Sequence, residues 1–206
     1  YALGVNLMNQ HLSYYSIAGA RKYDYPPSFS YHNPWWKSYR YLNDYYARLS
    51  MALSSGIQEN KILVIEPTTT AWLYDSYINS GRKPAYSNIG QSFQDFVTTL
   101  EKSQVEYDLG SEDIMRNHGK AGRTGLTVGK RTYTTVVIPP LTESLDRSTF
   151  DLIRDYAANG GKIVAFSAPS LIDGSASDEI SEFFSRKPDH VVMAEELNGQ
   201  IIASHF

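Results

Sequence analysis

Two apolar periods divide this chain. Tyr39, Leu42, Tyr46, Leu49 and Leu53 recur at intervals of 3, 4, 3 and 4, the spacing of one helix face. They predict a helix over residues 36–54, with Gly56 as its C′ residue. Asp44 and Arg48 stand four apart on another face, where they can pair. Ahead of the helix, residues 2–6 (ALGVN) read as a short buried strand. Residues 14–36 read as a loop, because Pro26, Pro27 and Pro34 block a continuous helix and bias Tyr25 and Asn33 toward extended backbone.

Beyond Gly56 the pattern becomes short apolar runs separated by helical ones. KILVIE (61–66), VEYDLG (105–110), TTVVI (134–138), KIVAFS (162–167) and HVVMA (190–194) read as strands, with a small hairpin strand before the third. Phe93, Phe96, Val97 and Leu100 follow a 0, 3, 4, 7 spacing and mark a helix after a long loop that runs to about Asn88. SEDIMRNHG predicts a short helix capped by Ser111, with acids in its first turn, and ending at Gly119. Phe150, Ile153 and Tyr156 mark another that ends at Gly160 and Gly161, and residues 180–184 a further one. Apolar strands alternating with amphipathic helices predict a parallel sheet covered on both faces. The expectation is a flavodoxin-like α/β domain over residues 57–206, preceded by a different region over residues 1–56.

Composition sharpens that division. Ten of the sixteen Tyr lie in the first fifty residues, together with Trp35 and Trp36. Nineteen Lys and Arg against twenty-two Asp and Glu give a net charge of −3 without long runs of either sign. Neither nucleic acid nor an anionic membrane has electrostatic support as a partner. No apolar stretch reaches the ~18–20 residues of a membrane span. The absence of Cys removes disulfides, thiolate metal sites and cysteine nucleophiles. A first residue of Tyr rather than Met leads us to expect a piece of a longer polypeptide.

Ligands of such sheets bind beyond the carboxyl ends of the strands, so the loops after Glu66, Asp108, Ile138 and Phe166 are where chemistry would lie. EPTTTAW lacks the glycines of a phosphate loop, which excludes a flavin-phosphate site of the usual kind. Glu66 stands alone where a phosphoacceptor domain needs paired acids. AFSAPS has alanine and proline where a serine-hydrolase turn needs glycines. Glu66 is read as a solvated or capping carboxylate, and His118 as a helix-terminus residue. His11, His32, His118, His190 and His205 have no short ligand spacing, so neither a metal nor a cofactor is assigned.

The string from GVNLMNQH through YDYPPSFSYHNPWW to YLNDYYARLSMALSSG, followed by ILVIEP, resembles the end of the catalytic barrel in large bacterial glycoside hydrolases of the α-L-rhamnosidase and β-galactosidase-like kind. There a late barrel strand leads through a substrate-side loop to the last barrel helix. VEYDLGSEDI, YTTVVIPPL and NGGKIVAFSAPS resemble segments of the non-catalytic amidotransferase-like domain that follows, called a trimerisation domain in the β-galactosidase case. The resemblance implies a strand, loop and helix of a (β/α)8-type barrel over residues 1–56, then the α/β domain over 57–206.

Glycoside hydrolysis needs two carboxyl groups roughly 5–9 Å apart. In the family these lie on earlier barrel strands, upstream of Tyr1. Residues 1–56 hold only Asp24 and Asp44, and Asp44 falls on the helix body. No catalytic residue is therefore assigned, and the chain by itself is expected to be inactive. What the resemblance implies for this region is substrate contact: Asn6 and His11 as hydrogen-bonding partners of sugar hydroxyls, and Tyr14, Tyr31, Trp35 or Trp36 as flat faces for a pyranose ring. Trp35 and Trp36 can equally be apolar anchors between barrel and sheet domain. Expected partners are a carbohydrate, the rest of the parent polypeptide and, in some assemblies, further copies of the chain. Bacterial periplasm or secretion is the expected location. The competing reading is a free-standing carbohydrate-binding or protein-interaction module.

Overall fold

A computed structural model describes residues 1, 4–26, 29–75 and 84–206 of the chain. They divide into two units, Tyr1–Gln58 and Glu59–Phe206.

In the first unit the helical stripe forms its helix. A 3-10 turn at Trp36–Ser38 runs into α1 (Tyr39–Ser54), and Gly56 beyond it takes a left-handed φ of +88° that an L side chain resists. Asp44 pairs with Arg40 at 3.6 Å rather than with Arg48. Both arginines are four residues away, and an exposed pair has little energy to choose between them. The predicted first strand is not formed at 4–6, and Ala2 and Leu3 lie outside the described residues. A strand must hand its N–H and C=O groups to a neighbour, and this unit has no second strand among its described residues. No residue of α1 is buried: Leu42 and Leu53 stand 42% and 48% exposed, and Tyr46 and Leu49 are half-buried.

The second unit runs β1 (Ile62–Ile65), α2 (Thr68–Trp72), α3 (Pro84–Lys102), β2 (Asp108–Gly110), α4 (Glu112–His118), β3 (Gly119–Gly122), β4 (Gly125–Val128), β5 (Arg131–Tyr133), β6 (Thr135–Ile138), β7 (Ser144–Leu145), α5 (Arg147–Ala158), β8 (Lys162–Ala165), β9 (Leu171–Ile172), β10 (Ser175–Ala176), α6 (Asp178–Arg186), β11 (Val191–Met193) and α7 (Gly199–His205). Five strands form a parallel sheet in the order β2-β1-β6-β8-β11, with Leu63 opposite both Asp108 and Val136 and Ile163 opposite both Val136 and Val191. Counting only these five, the order is 2-1-3-4-5, the flavodoxin-like winding, which reverses direction between β1 and β6.

The apolar runs serve both faces at once. In β1, Leu63 and Ile65 point into a core with Phe150, Ile153 and Tyr156 of α5 and Ile180 and Phe184 of α6. Ile62 and Val64 point the other way, toward Phe96 and Leu100 of α3. That two-sided burial is why these strands read as continuous apolar runs and not as alternating ones.

Three expectations needed revision. The loop expected up to Asn88 contains α2, and α3 already begins at Pro84, a residue suited to a first helical turn; positions 76–83 lie outside the described residues. The strand expected over 105–110 shortens to three residues, and the expected hairpin strand is one part of a three-stranded antiparallel sheet, β3-β4-β5. The small sheet β10-β9-β7 and helix α7 were not foreseen. Two-residue strands carry no periodic signal, and α7 is announced only by Asn198, whose side chain accepts from the amides of Gln200 and Ile201.

Candidate functional site

The aromatic segment of the first unit gathers its rings in two places. Around Tyr25, the Tyr14 hydroxyl donates to the Tyr25 carbonyl at 2.8 Å and lies 3.4 Å from Asp24 Oδ2. The His11 ring stands 4.6 Å from the Tyr25 ring. Desolvation, and then the Asp24 carboxylate, raise the pKa of Tyr14, so its hydroxyl stays a donor. Around Tyr39, Phe29 and Trp36 stack at 5.9 and 6.4 Å and Trp35 lies tilted at 6.2 Å. The Tyr39 hydroxyl donates to Gln10 Oε1, which ties the chain next to His11 to this second cluster.

Among the five candidate contacts, His11 and Tyr14 share the Tyr25 neighbourhood and Trp35 belongs to the Tyr39 cluster. Tyr31 stands 71% exposed against His32, at 4.1 Å between rings, with His32 Nδ1 held 2.8 Å from Ser30 Oγ. Asn6 is exposed and not joined to either cluster. Sequence reasoning gave Tyr39 to the buried helix stripe and overlooked it as a ring partner. Its spacing of three and four residues after Trp36 and Trp35 would have indicated the contact.

In the second unit the crevice at the winding reversal is occupied by the chain's own side chains. Thr70 Oγ1 donates to the Ser144 carbonyl at 3.1 Å and accepts from the amides of Glu143 and Ser144 at 3.0 and 2.9 Å. Thr69 donates to Asp146 Oδ1 at 3.2 Å, Arg116 reaches Asp146 Oδ2 at 2.5 Å, and the Asp146 amide donates to Glu112 Oε2 at 2.7 Å. Glu112 is only 6% exposed. Burial raises its pKa, opposed in part by Thr69, the Asp146 amide and Thr149, and aided by the Asp146 charge. Neither threonine hydroxyl reaches hydrogen-bond geometry with Oε1, which is buried without a partner. These bonds knit the connections after β1, β2 and β6 into one polar seam.

Two of the loops where this architecture carries chemistry hold an engaged hydroxyl and an apolar turn residue. Ser167 of AFSAPS donates to the Pro139 carbonyl at 2.8 Å, so its hydroxyl is engaged. After β6 the chain makes a strained turn at Leu141, with φ of +60°, anchored by Thr142 Oγ1 donating to the Pro139 carbonyl. A tight strand-to-turn geometry of this kind can present a nucleophile; here it presents an apolar side chain. His118 ends α4, exposed. Among the described residues no group of three or more His, Asp or Glu could hold a metal, and no helix is long and apolar enough to cross a membrane.

No protein-family model matches the chain, and no curated protein matches it. Among solved structures its fold is similar to a rhamnosidase from Novosphingobium sp. PP1Y, with a TM-score of 0.56 and 14% identity. The match covers 86% of this chain and 17% of that chain. At this identity the likeness is one of fold, and the chain spans a small part of the protein it resembles.

Proposed function

We propose that this chain is a non-catalytic C-terminal part of a glycoside hydrolase acting on plant or bacterial polysaccharide glycosides. The first unit contributes a loop and helix to the wall of a catalytic barrel, and the α/β unit supports that barrel or joins copies of the enzyme. The observation that carries this reading is α1: a helix with an apolar stripe that has no buried residue. A stripe of Leu and Tyr at helical spacing is made to be covered, and the remainder of a barrel would cover it. The fold likeness to part of a rhamnosidase supports the reading, as does the seam that fills the sheet's own ligand crevice.

In this reading Trp35, 47% exposed, Tyr31 and Tyr14 offer their faces to a sugar ring, while Asn6 and His11 supply polar contacts at its rim. The acid pair lies elsewhere in the parent enzyme. Two experiments test the assignment. The coding sequence upstream of Tyr1 should continue through alternating strand and helix segments; a signal peptide placed directly before Tyr1 overturns the proposal. The 206-residue chain should release no nitrophenol from a panel of nitrophenyl glycosides, and turnover that disappears in Asp24→Asn would show that the chemistry is here after all.

The exposure of Tyr31 and Trp35 favours one other reading, a carbohydrate-binding module without turnover. Sugar binding by the isolated chain that is abolished in Trp35→Ala supports that alternative.

A further inference from the structure

Tyr25 leaves 64% of its surface exposed, yet its peptide groups are held on both sides. Its amide donates to Asp24 Oδ1 at 2.8 Å, and its carbonyl accepts from the Tyr14 hydroxyl at 2.8 Å. The same hydroxyl lies 3.4 Å from Asp24 Oδ2, so one tyrosine and one carboxylate clamp the residue together. The His11 ring leans on the Tyr25 ring at 4.6 Å and 49°. One tilted neighbour covers at most one face of a ring, and the exposure of Tyr25 leaves the other open. Exposure by itself is common in this loop, since Tyr15 and Tyr23 reach 96% and 90%. What sets Tyr25 apart is the clamp.

We propose that Tyr25 is a stacking platform for one ring of a neutral sugar, with Asp24 and His11 as polar contacts at its edge. The proposal rests on the reading of the first unit as a region that touches carbohydrate, and adds to it two residues, Tyr25 and Asp24, and a selectivity. The face of an aromatic ring is apolar and weakly negative, which suits the C–H face of a pyranose. A platform that is already rigid loses little freedom on binding, and the clamp supplies that rigidity. A ring that merely awaits cover from the rest of a barrel needs no clamp on its peptide. A carboxylate has about four acceptor sites, so neighbouring sugar hydroxyls can donate to the exposed Asp24 alongside its bonds to Tyr25 and Tyr14. The exposed His11 adds an imidazole beside the ring. Asp24 also sets the selectivity, because the carboxylate of an acidic sugar stacked on Tyr25 meets a like charge. Arg21 of the same loop is directed to the Ala18 carbonyl, at 3.5 Å.

The test is a two-dimensional NMR titration of the whole 206-residue chain with L-rhamnose, D-galactose and D-glucose, and in parallel with D-galacturonate and D-glucuronate. The expected result is saturable shifts at residues 11, 24 and 25 with the neutral sugars at roughly millimolar concentration, each acid binding about fivefold or more weaker than its neutral parent. Tyr25→Ala should weaken binding by about tenfold or more, whereas Tyr25→Trp, which keeps a ring face, should hold it within about threefold. Asp24→Asn should bring each acid and its parent together. It retains an acceptor for the Tyr25 amide, so it decides should Tyr25→Ala fail to fold. Sugar shifts confined to Tyr31 and Trp35, or binding unchanged in Tyr25→Ala, overturn the platform and leave the carbohydrate reading of the region standing. No shift with any sugar overturns both, and an acid bound as tightly as its parent overturns the proposal.

Discussion

The two units answer the same problem, where to put apolar side chains, in opposite ways. In Glu59–Phe206 each face of the sheet has its own helices, and Val64, Val136, Val137, Ile138 and Phe150 are wholly removed from water. In Tyr1–Gln58 the longest helix buries none of its residues, and the rings pair with one another near the surface. The sheet unit therefore carries its stability within itself. The aromatic unit has the composition of an interior surface without the interior.

The comparison can be broken most sharply at Phe150. Phe150→Ala empties the centre of the larger core and should cost about 3–5 kcal/mol in urea unfolding, whereas Leu53→Ala on the exposed stripe should cost under about 1 kcal/mol. Equal losses would mean that α1 is buried in solution and that the contrast is false. The polar seam is next in size. Thr70→Val keeps the shape of the side chain but leaves the Glu143 and Ser144 amides unpaired, at a cost of about 1–3 kcal/mol; a neutral result would remove the seam from the list of supports.

A pH profile probes the same seam more gently. Glu112 faces the Asp146 carboxylate from the α5 side, with Arg116 and Asp113 on its own helix, and burial raises its pKa. A carboxyl whose folded pKa is raised holds its proton longer in the native state than in the unfolded one, so the unfolded chain binds fewer protons in between. Stability from this group is full below the ordinary glutamate range and is lost as pH rises through the raised value. Glu112→Gln, which cannot ionise, should flatten that part of the profile and be more stable than the parent at neutral pH. A parallel pH dependence in both proteins would place the proton elsewhere. Smallest of all, Leu42→Lys and Leu53→Lys should change the unfolding free energy of this chain by no more than about 0.5 kcal/mol while reducing any self-association seen by size exclusion. A large loss of stability would show that the stripe already has a partner within the chain.

How much of this was legible beforehand follows from where each signal lies. Whereas the edge strand β2 (Asp108–Gly110) is half exposed and carries no apolar run, strands β1, β6 and β8 announced themselves as such runs, because burial on both faces leaves few polar positions. Helices α1, α3, α5 and α6 did so by their spacing, since one covered face imposes the helical period. Helix α2 escaped because TTTAW is five residues with one buried position, too short for a period. Asn6, His11, Tyr14, Tyr31 and Trp35 were singled out by residue type, but type alone could not say that His11 and Tyr14 converge on Tyr25 while Trp35 turns to Tyr39.

Local pattern thus determined the kinds of element, their order and the side of each that seeks cover, because burial acts on neighbours three, four or two positions apart. Tertiary structure alone decided that Thr70 meets Ser144 seventy-four positions later, and that Glu112 and Asp146 share one seam. Those meetings depend on which strands lie side by side, and strand order leaves no periodic trace in the chain.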